Sequence, residues 1–469
     1  MPHTPFQQHF LWGASTSSYQ IEGALHKHSR GDSVWDMAAR VEGFIARGET
    51  AETACDHVAR LDEDLDLMAE LGLKAYRFSI AWPRVIPAGV GGVSEEGVAF
   101  YERLVDGLLA RGIEPLATLF HWDYPTALFQ RGGWLSPDSP RWFADYAALI
   151  ARRFGDRVKW WVTLNEPQCF IGLGHELGQH APALKLPLDQ VLTAAHHALL
   201  AHGLAVDAVR EHAAPDAKVS LAPIAVVDFP ASDEPADIEA ARRGTFERCE
   251  GQTELGVTRM FNSGWWFEPV VRGAYPESFM EQWGGVRPPI ASGDMDIISR
   301  PIDFLGMNLY HGRRVRAGAD GEPVEVPDRV GAPTTTMGWP ITPDAMYWMA
   351  RFFHERYELP LVVTENGRAV ADEIDADGRV RDTQRIAYLD RYLRALGKSI
   401  ADGADVAGYF AWSLMDNFEW THGYAQRFGL VHVDFDTQKR TIKDSGRWYA
   451  SVIQNNGPTA SIDAAKADA

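Results

Sequence analysis

Eight short apolar runs, at 10–14, 74–80, 114–120, 160–165, 219–222, 304–310, 361–365 and 408–413, alternate along this chain with segments long enough for helices. Strands spaced in this way pair in parallel with a helix over each crossover, and eight of them predict a sheet closed into a barrel. The spacers agree: 62–71, 100–110 and 142–154 carry apolar residues at helical spacing, and each is followed by a glycine suited to ending a helix. The expected fold is therefore α/β, a single eightfold (β/α) TIM barrel with long βα loops. At 469 residues the chain exceeds a minimal barrel, yet barrels with insertions run to over roughly 400. No Pro/Gly/Ser-rich linker divides it and no internal repeat occurs, so 1–454 reads as one domain. The weakly patterned stretches 229–241 and 312–336 read as surface loops. The small, polar tail 455–469 reads as disordered.

Composition narrows the partners. A formal net charge of −19 argues against nucleic acid, whose binders concentrate Lys and Arg against phosphate. Hydrophobic residues at 46% and charged residues at 23% fit a protein with a large core rather than a disordered one. Three cysteines, Cys55, Cys169 and Cys249, supply neither a disulfide framework nor paired metal spacing, which suits a reducing compartment. The N-terminus shows no basic segment followed by an apolar one, and no stretch of about 18 apolar residues occurs. A cytoplasmic protein with no membrane partner is expected; homo-oligomerisation is left open.

A barrel of this kind carries its function at the C-terminal ends of the strands. The residues ending the runs are Gln20 and Glu22, Arg77 and Ser79, His121, Asn165 and Glu166, Asn308 and Tyr310, Glu365 and Asn366, and Trp412; only the fifth run ends blandly. Two strands deliver glutamates in matching settings: Trp161-Val162-Thr163-Leu164-Asn165-Glu166-Pro167 and Val362-Val363-Thr364-Glu365-Asn366-Gly367. A lone strand-end glutamate serves as readily in an ion pair or a helix cap. Two facing one pocket form the carboxyl pair that glycosidic bond hydrolysis requires, one to protonate the leaving oxygen and one on the opposite face of the sugar. A separation of about 5–5.5 Å makes the second a nucleophile, whereas about 6.5–9.5 Å admits a water and inverts configuration.

Arg77 lies inside a run, where a cation needs a carboxylate partner. Pairing with Glu365 would lower that pKa and keep the group ionised; Glu166 lacks such a cation, and the charge of Glu365 would raise its pKa. Of the sixteen tryptophans, Trp122, Trp339, Trp412 and Trp420 fall at the expected rim, where indole faces can stack on sugar C–H faces. Scattered tryptophans usually fill cores, but Asp416-Asn417-Phe418-Glu419-Trp420 interleaves polar and aromatic residues after a strand.

Other signals fail on spacing. His175-Glu176 with His180 resembles a zinc helix, but the second histidine stands five residues on, and Gln179 occupies the required place. Asp62, Asp64 and Asp66 alternate as in a calcium loop, yet Leu67 replaces the turn glycine, so they read as a solvated helix face. His196 and His197 read as packing or surface residues. No Gly-rich phosphate loop is present, and neither metal nor cofactor is expected.

The motifs together resemble glycoside hydrolase family 1, the retaining β-glucosidases and their relatives, from Phe10-Leu11-Trp12-Gly13-Ala14 to Lys443-Asp444-Ser445. Those carrying the resemblance include Tyr19-Gln20-Ile21-Glu22-Gly23-Ala24, Tyr76-Arg77-Phe78-Ser79, His121-Trp122-Asp123, Asn308-Leu309-Tyr310 and Asn417-Phe418-Glu419-Trp420, beside the two glutamate strands. The resemblance implies Glu166 as acid/base, Glu365 as nucleophile, and Arg77, Tyr310 and Asn308 as their support. It implies that Gln20, His121, Asn165, Glu419 and Trp420 hold the sugar hydroxyls, with Trp412 as stacking platform, Trp122 and Phe428 in the same substrate-binding set, and Trp339 at the aglycone entrance. It also implies a cis peptide between Trp412 and Ser413.

Relatives acting on 6-phosphorylated sugars lack the Glu419–Trp420 pair, and thioglucosidases carry glutamine at the position of Glu166, so the resemblance favours free-sugar O-glycosides. The expected substrates are β-glucosides and cello-oligosaccharides, with β-galactosides and β-fucosides as further candidates. A 6-phospho-β-glycosidase and a non-catalytic sugar-binding barrel are the rival readings. Gln168, Tyr124 and Thr421-His422 depart from common family residues, which bears on leaving-group preference.

Overall fold

The computed structural model describes residues 5–27, 29–253 and 255–459. Its central sheet consists of β1 (Leu11–Ser15), β2 (Ala75–Ser79), β3 (Glu114–Phe120), β4 (Trp160–Asn165), β5 (Lys218–Ala222), β6 (Leu305–Asn308), β7 (Leu361–Asn366) and β8 (Val406–Trp412). The strands are parallel in the order β5-β4-β3-β2-β1-β8-β7-β6, and a bridge between Ile224 and Asn308 joins the two ends. The expected eightfold barrel is what the chain forms. Between and after the strands run α1 (Leu61–Glu70), α2 (Glu95–Ala110), α3 (Ser139–Phe154), α4 (Leu188–His212), α5 (Pro235–Glu247), α6 (Asp344–Tyr357), α7 (Thr383–Ala401) and α8 (Asp444–Gln454).

Alternation along each strand sorts side chains between two cores. Ala75, Leu116, Val162, Ala222, Phe304, Val362 and Phe410 point into the barrel and fill its lower part. Their neighbours, among them Tyr76, Ala117, Trp161 and Val363, pack outward in the larger core that includes helix residues such as Leu104, Phe143 and Leu393. Above the apolar plug the inward positions turn polar, with Arg77, Thr118, Asn165 and Asn308 all fully buried. The plug excludes water from below, so these groups must satisfy one another.

The stretches expected to be plain loops are partly built. Asp228–Pro230 pairs in parallel with Arg313–Ala317, which pairs antiparallel with Pro323–Glu325, and α5 covers this small sheet. Buried Asp228 ties it together, accepting from Arg248 at 2.7 Å and from Arg313 at 2.7 and 3.0 Å. Of the expected tail, Asn456 accepts from the Trp12 indole at 2.9 Å and donates to the Phe6 carbonyl at 3.0 Å, so the bound chain continues past 455. Residues 460–469 lie outside the described residues. No described helix is long and apolar enough to cross a membrane.

The alternating acids of α1 are not all solvated. Asp62 is exposed, but Asp64 is fully buried, accepting from His57 at 2.7 Å and from Arg440 at 2.9 and 3.1 Å. Burial opposes its ionisation, yet the bonds and charges of His57 and Arg440 prevail and hold its pKa below the ordinary value. A depressed folded-state pKa contributes stability that is full above the unfolded value and lost as pH falls through the folded one. Asp64→Ala leaves Arg440 buried without its counter-charge, and urea unfolding should show a loss of about 3–5 kcal/mol at neutral pH. In the wild type the loss should develop on acidification; a variant as stable as the wild type at pH 7 would remove Asp64 from the ledger of this interface.

Candidate active site

Both strands that deliver a glutamate lose regular register just before it. The pairing of β4 with β5 shifts between Val162 and Asn165, and that of β7 with both neighbours shifts between Val363 and Glu365 or Asn366. Such irregularities re-aim side chains at a barrel rim. Glu166 then takes a left-handed backbone with φ 44°, as do Trp122 at 77° and Trp420 at 49°. Three non-glycine residues in this sparsely populated region at one rim mark a site that its surroundings hold against local strain.

The polar side chains above the plug form one connected set. Arg77 gives Nη1 to Glu365 Oε1 at 2.5 Å and to the Thr364 carbonyl at 3.2 Å, Nε to Thr118 at 3.1 Å, and Nη2 to Asn165 Oδ1 at 2.6 Å. Tyr310 donates to the other oxygen of Glu365 at 2.7 Å. Asn308 Nδ2 donates to Glu166 Oε1 at 2.7 Å and to Asn165 Oδ1 at 3.0 Å, while its own Oδ1 accepts from Thr364 at 2.6 Å. The Cys169 thiol donates to Glu166 Oε2 at 3.3 Å. Glu365 thus faces a cation and a phenol, whereas Glu166 faces an amide and a thiol.

The pKa of Glu166 is pushed up to about 8, first by burial and then by the charge of Glu365; Asn308, Cys169 and Arg77 oppose the rise. The repulsion expected from sequence is present, but desolvation is the larger cause. Burial and the same two carboxyl groups also push the Tyr310 hydroxyl well above its usual range, so it remains a donor.

Asn165 fixes the tautomer of a neighbour. Its Oδ1 accepts from Arg77 and Asn308, so its Nδ2 faces His121 Nε2 at 3.1 Å, and the neutral imidazole carries its proton on Nδ1. Burial, then the charge of Arg77, hold the His121 pKa well below its ordinary value. Nδ1 is buried and has no hydrogen-bond partner among the described residues, leaving a donor for a ligand oxygen.

A cavity of about 1100 Å³ opens over this network, with His121, Trp122, Glu166, Tyr310, Trp339, Glu365, Trp412, Glu419, Trp420 and Phe428 on its walls. Gln20, Arg77, Asn165 and Asn308 stand behind these walls and hold them: Gln20 Nε2 lies 3.4 Å from Glu419 Oε2 and 2.9 Å from Asn417 Oδ1. The Trp412–Ser413 peptide is cis, and the Trp412 ring lies nearly parallel to His121 at 5.9 Å. The segment that follows is anchored by buried charge: Lys443 bonds Asp416 at 2.6 Å and Asp372 at 2.5 Å, and Arg427 bonds Asp416 at 2.7 Å.

Of the positions that depart from common family residues, Gln168 turns away and clamps the Ile224 backbone with bonds of 2.9 and 3.1 Å. Tyr124 packs against Trp82, Phe120 and Trp134. Neither lines the cavity, whereas His422 does. Cys169, Leu173, His180, Val226 and Phe261 also line it, although no sequence motif singled them out for that role. His175 is buried and bonds the Phe170 carbonyl at 2.7 Å on the π-helix Gln168–Glu176. His196 joins Tyr275 and Asp294. Among the described residues no group of three His, Cys, Asp or Glu side chains is arranged to hold a metal ion.

Comparison with known proteins gives a consistent set of relatives. The family model described as Glycosyl hydrolase family 1 matches residues 2–458. Beta-glucosidase A of Thermotoga maritima is 42% identical over 455 residues, spanning 96% of this chain and 98% of that protein. A bifunctional beta-D-glucosidase/beta-D-fucosidase of Bifidobacterium breve is 40% identical, covering 96% and 98% respectively. The solved family 1 b-glucosidase from Thermotoga maritima superposes with a TM-score of 0.88 at 40% identity, covering 98% of this chain and all of that one. The beta-glucosidase from the same organism in complex with deoxynojirimycin superposes with a TM-score of 0.87 at 40% identity, over 97% and 100% of the chains.

If Glu365 supplies the second cause of the raised Glu166 pKa, Glu365→Gln should lower it, while burial keeps it above the ordinary carboxyl value. Carbon-13 NMR of labelled glutamate should show a group titrating near pH 8 in the wild type and lower in the variant. An unchanged titration would remove the coupling between the two groups.

Proposed function

The chain belongs to glycosyl hydrolase family 1, and from that premise we propose that it hydrolyses terminal non-reducing β-D-glucosyl residues of β-glucosides and cello-oligosaccharides by retaining double displacement. Glu365 is the nucleophile and Glu166 the acid/base. The observation that carries this reading is the unlike setting of the two carboxyl groups on one hydrogen-bonded set, a cation beside Glu365 and none bonded to Glu166.

In the first step Glu365 attacks the anomeric carbon as Glu166 gives its proton to the glycosidic oxygen. The bond to the leaving group breaks and a glycosyl ester forms on Glu365. Holding that proton at neutral pH requires a raised pKa, and about 8 meets the need. The acid form is complete below that value and lost above it. Esterification removes the charge of Glu365 and with it the second cause of the raised pKa, so Glu166 becomes the stronger acid. Its carboxylate then takes a proton from the water that cleaves the ester, and configuration is retained. No metal or cofactor enters these steps.

The sugar is held from the cavity walls. The free Nδ1–H of His121 suits a hydroxyl oxygen, Glu419 suits hydroxyl hydrogens, and Trp412 offers a face for the ring. Trp122, Trp420 and Phe428 complete this side, with Gln20 and Asn165 holding it from behind, and Trp339 borders the leaving group. An acid at Glu419 repels phosphate, which supports free sugars over 6-phosphorylated ones. The bifunctional relative, named for glucosidase and fucosidase activity, supports β-fucosides as further substrates. Residues 1–454 act as one catalytic unit. The three cysteines, none paired in a disulfide, support a cytoplasmic setting.

Glu365→Gly should lower turnover of 4-nitrophenyl β-D-glucoside by about 10³-fold or more, with the fold intact by circular dichroism. The wild type should cleave the free glucoside and leave its 6-phosphate uncut. Full activity in the variant would refute the mechanism, and preference for the phosphorylated glycoside would refute the substrate class.

A further inference from the structure

The oxygen of Glu166 that is available for proton transfer is the one beside Cys169. Asn308 Nδ2 occupies Oε1 at 2.7 Å and, having no lone pair to offer, can only donate there. The transferable proton therefore belongs on Oε2, which lies 3.3 Å from Cys169 Sγ. The thiol is buried, lines the cavity, and is the second residue of the π-helix that begins directly after Glu166 and Pro167. Its position is fixed by the same backbone that aims the glutamate: the Cys169 amide bonds the Glu166 carbonyl at 2.9 Å.

We propose that Cys169 is a positioning residue for the acid/base, holding Oε2 of Glu166 in place and donating to it whenever it is ionised. This inference rests on the reading of Glu166 as acid/base. A thiol suits both protonation states. Toward the carboxylate it donates S–H, stabilising the base form needed for the second step. Toward the acid it can turn and accept weakly, so the proton still leaves for the glycosidic oxygen. An ordinary hydroxyl would donate more strongly and drain the acid form, and a methyl group would leave the buried carboxylate without its second donor.

The direction of each effect follows. Removing a donor to the ionised form raises the pKa of Glu166, and strengthening the donor lowers it. The alkaline limb of kcat/KM for an aryl β-glucoside with a poor leaving group reports that group in the free enzyme. Cys169→Ala should move the limb upward by about half a pH unit or more, and Cys169→Ser should return it to the wild-type position or below. A merely structural cysteine would lower activity without moving the limb, so superimposable limbs in wild type, Cys169→Ala and Cys169→Ser would overturn the inference. Glu166→Ala separates the two levels of the argument: it should lower kcat/KM steeply for the glucoside with a poor leaving group and far less for 2,4-dinitrophenyl β-D-glucoside, whose departure needs no proton. If both substrates lose kcat/KM equally in Glu166→Ala, the acid/base reading fails. If the loss is selective but the limb does not move in Cys169→Ala, only the role of Cys169 fails.

Discussion

Arg77 is a fully buried cation in the mouth of the barrel, and the arrangement around it follows from the need to satisfy it. A guanidinium withdrawn from water is tolerable only with a counter-charge and acceptors for its N–H groups. Glu365 supplies the charge; Thr118, Asn165 and the Thr364 carbonyl supply acceptors. Because Asn165 spends its carbonyl on Arg77 and Asn308, its amide hydrogens must face His121. Because Asn308 donates to both Asn165 and Glu166, the position of Glu166 is tied to the same cation. One buried charge thus orients residues from β2, β3, β4, β6 and β7.

The same network separates two chemically identical side chains. Glu365 is in direct contact with Arg77 and Tyr310, while burial without a bonded cation makes Glu166 hold its proton to about pH 8. Neither setting comes from the strands themselves, which both carry a glutamate at the C-terminal end of an apolar run. The difference lies in what the neighbouring strands place beside them. The register shifts before each glutamate and the left-handed backbone at Glu166 bring the side chains to this network.

Much of this was legible in the sequence because strand period and run length are local signals. The eight runs, the two strand-end glutamates and the need of Arg77 for a partner are all visible within a few residues. What escaped depends on distant chain. Asp64 reads as solvated because its partner Arg440 lies 376 residues away. The sheet of 228–230, 313–317 and 323–325 escaped because strands of three to five residues are too short to show alternation. Gln168 could face the cavity or the backbone of Ile224, and only the fold chooses. Desolvation, the main cause of the raised Glu166 pKa, is a property of the whole packed rim rather than of any motif.

The central claim is that Glu365, bonded to Arg77, forms a bond to the sugar. A 2-deoxy-2-fluoro-β-D-glucosyl substrate with a good leaving group destabilises the charge-developing hydrolysis step and lets the ester accumulate. Mass spectrometry of the proteolysed enzyme should then find one fluoroglucosyl group, on the peptide that contains Glu365. Label on a peptide carrying Glu166, or no stable label alongside inverted product, would contradict the account.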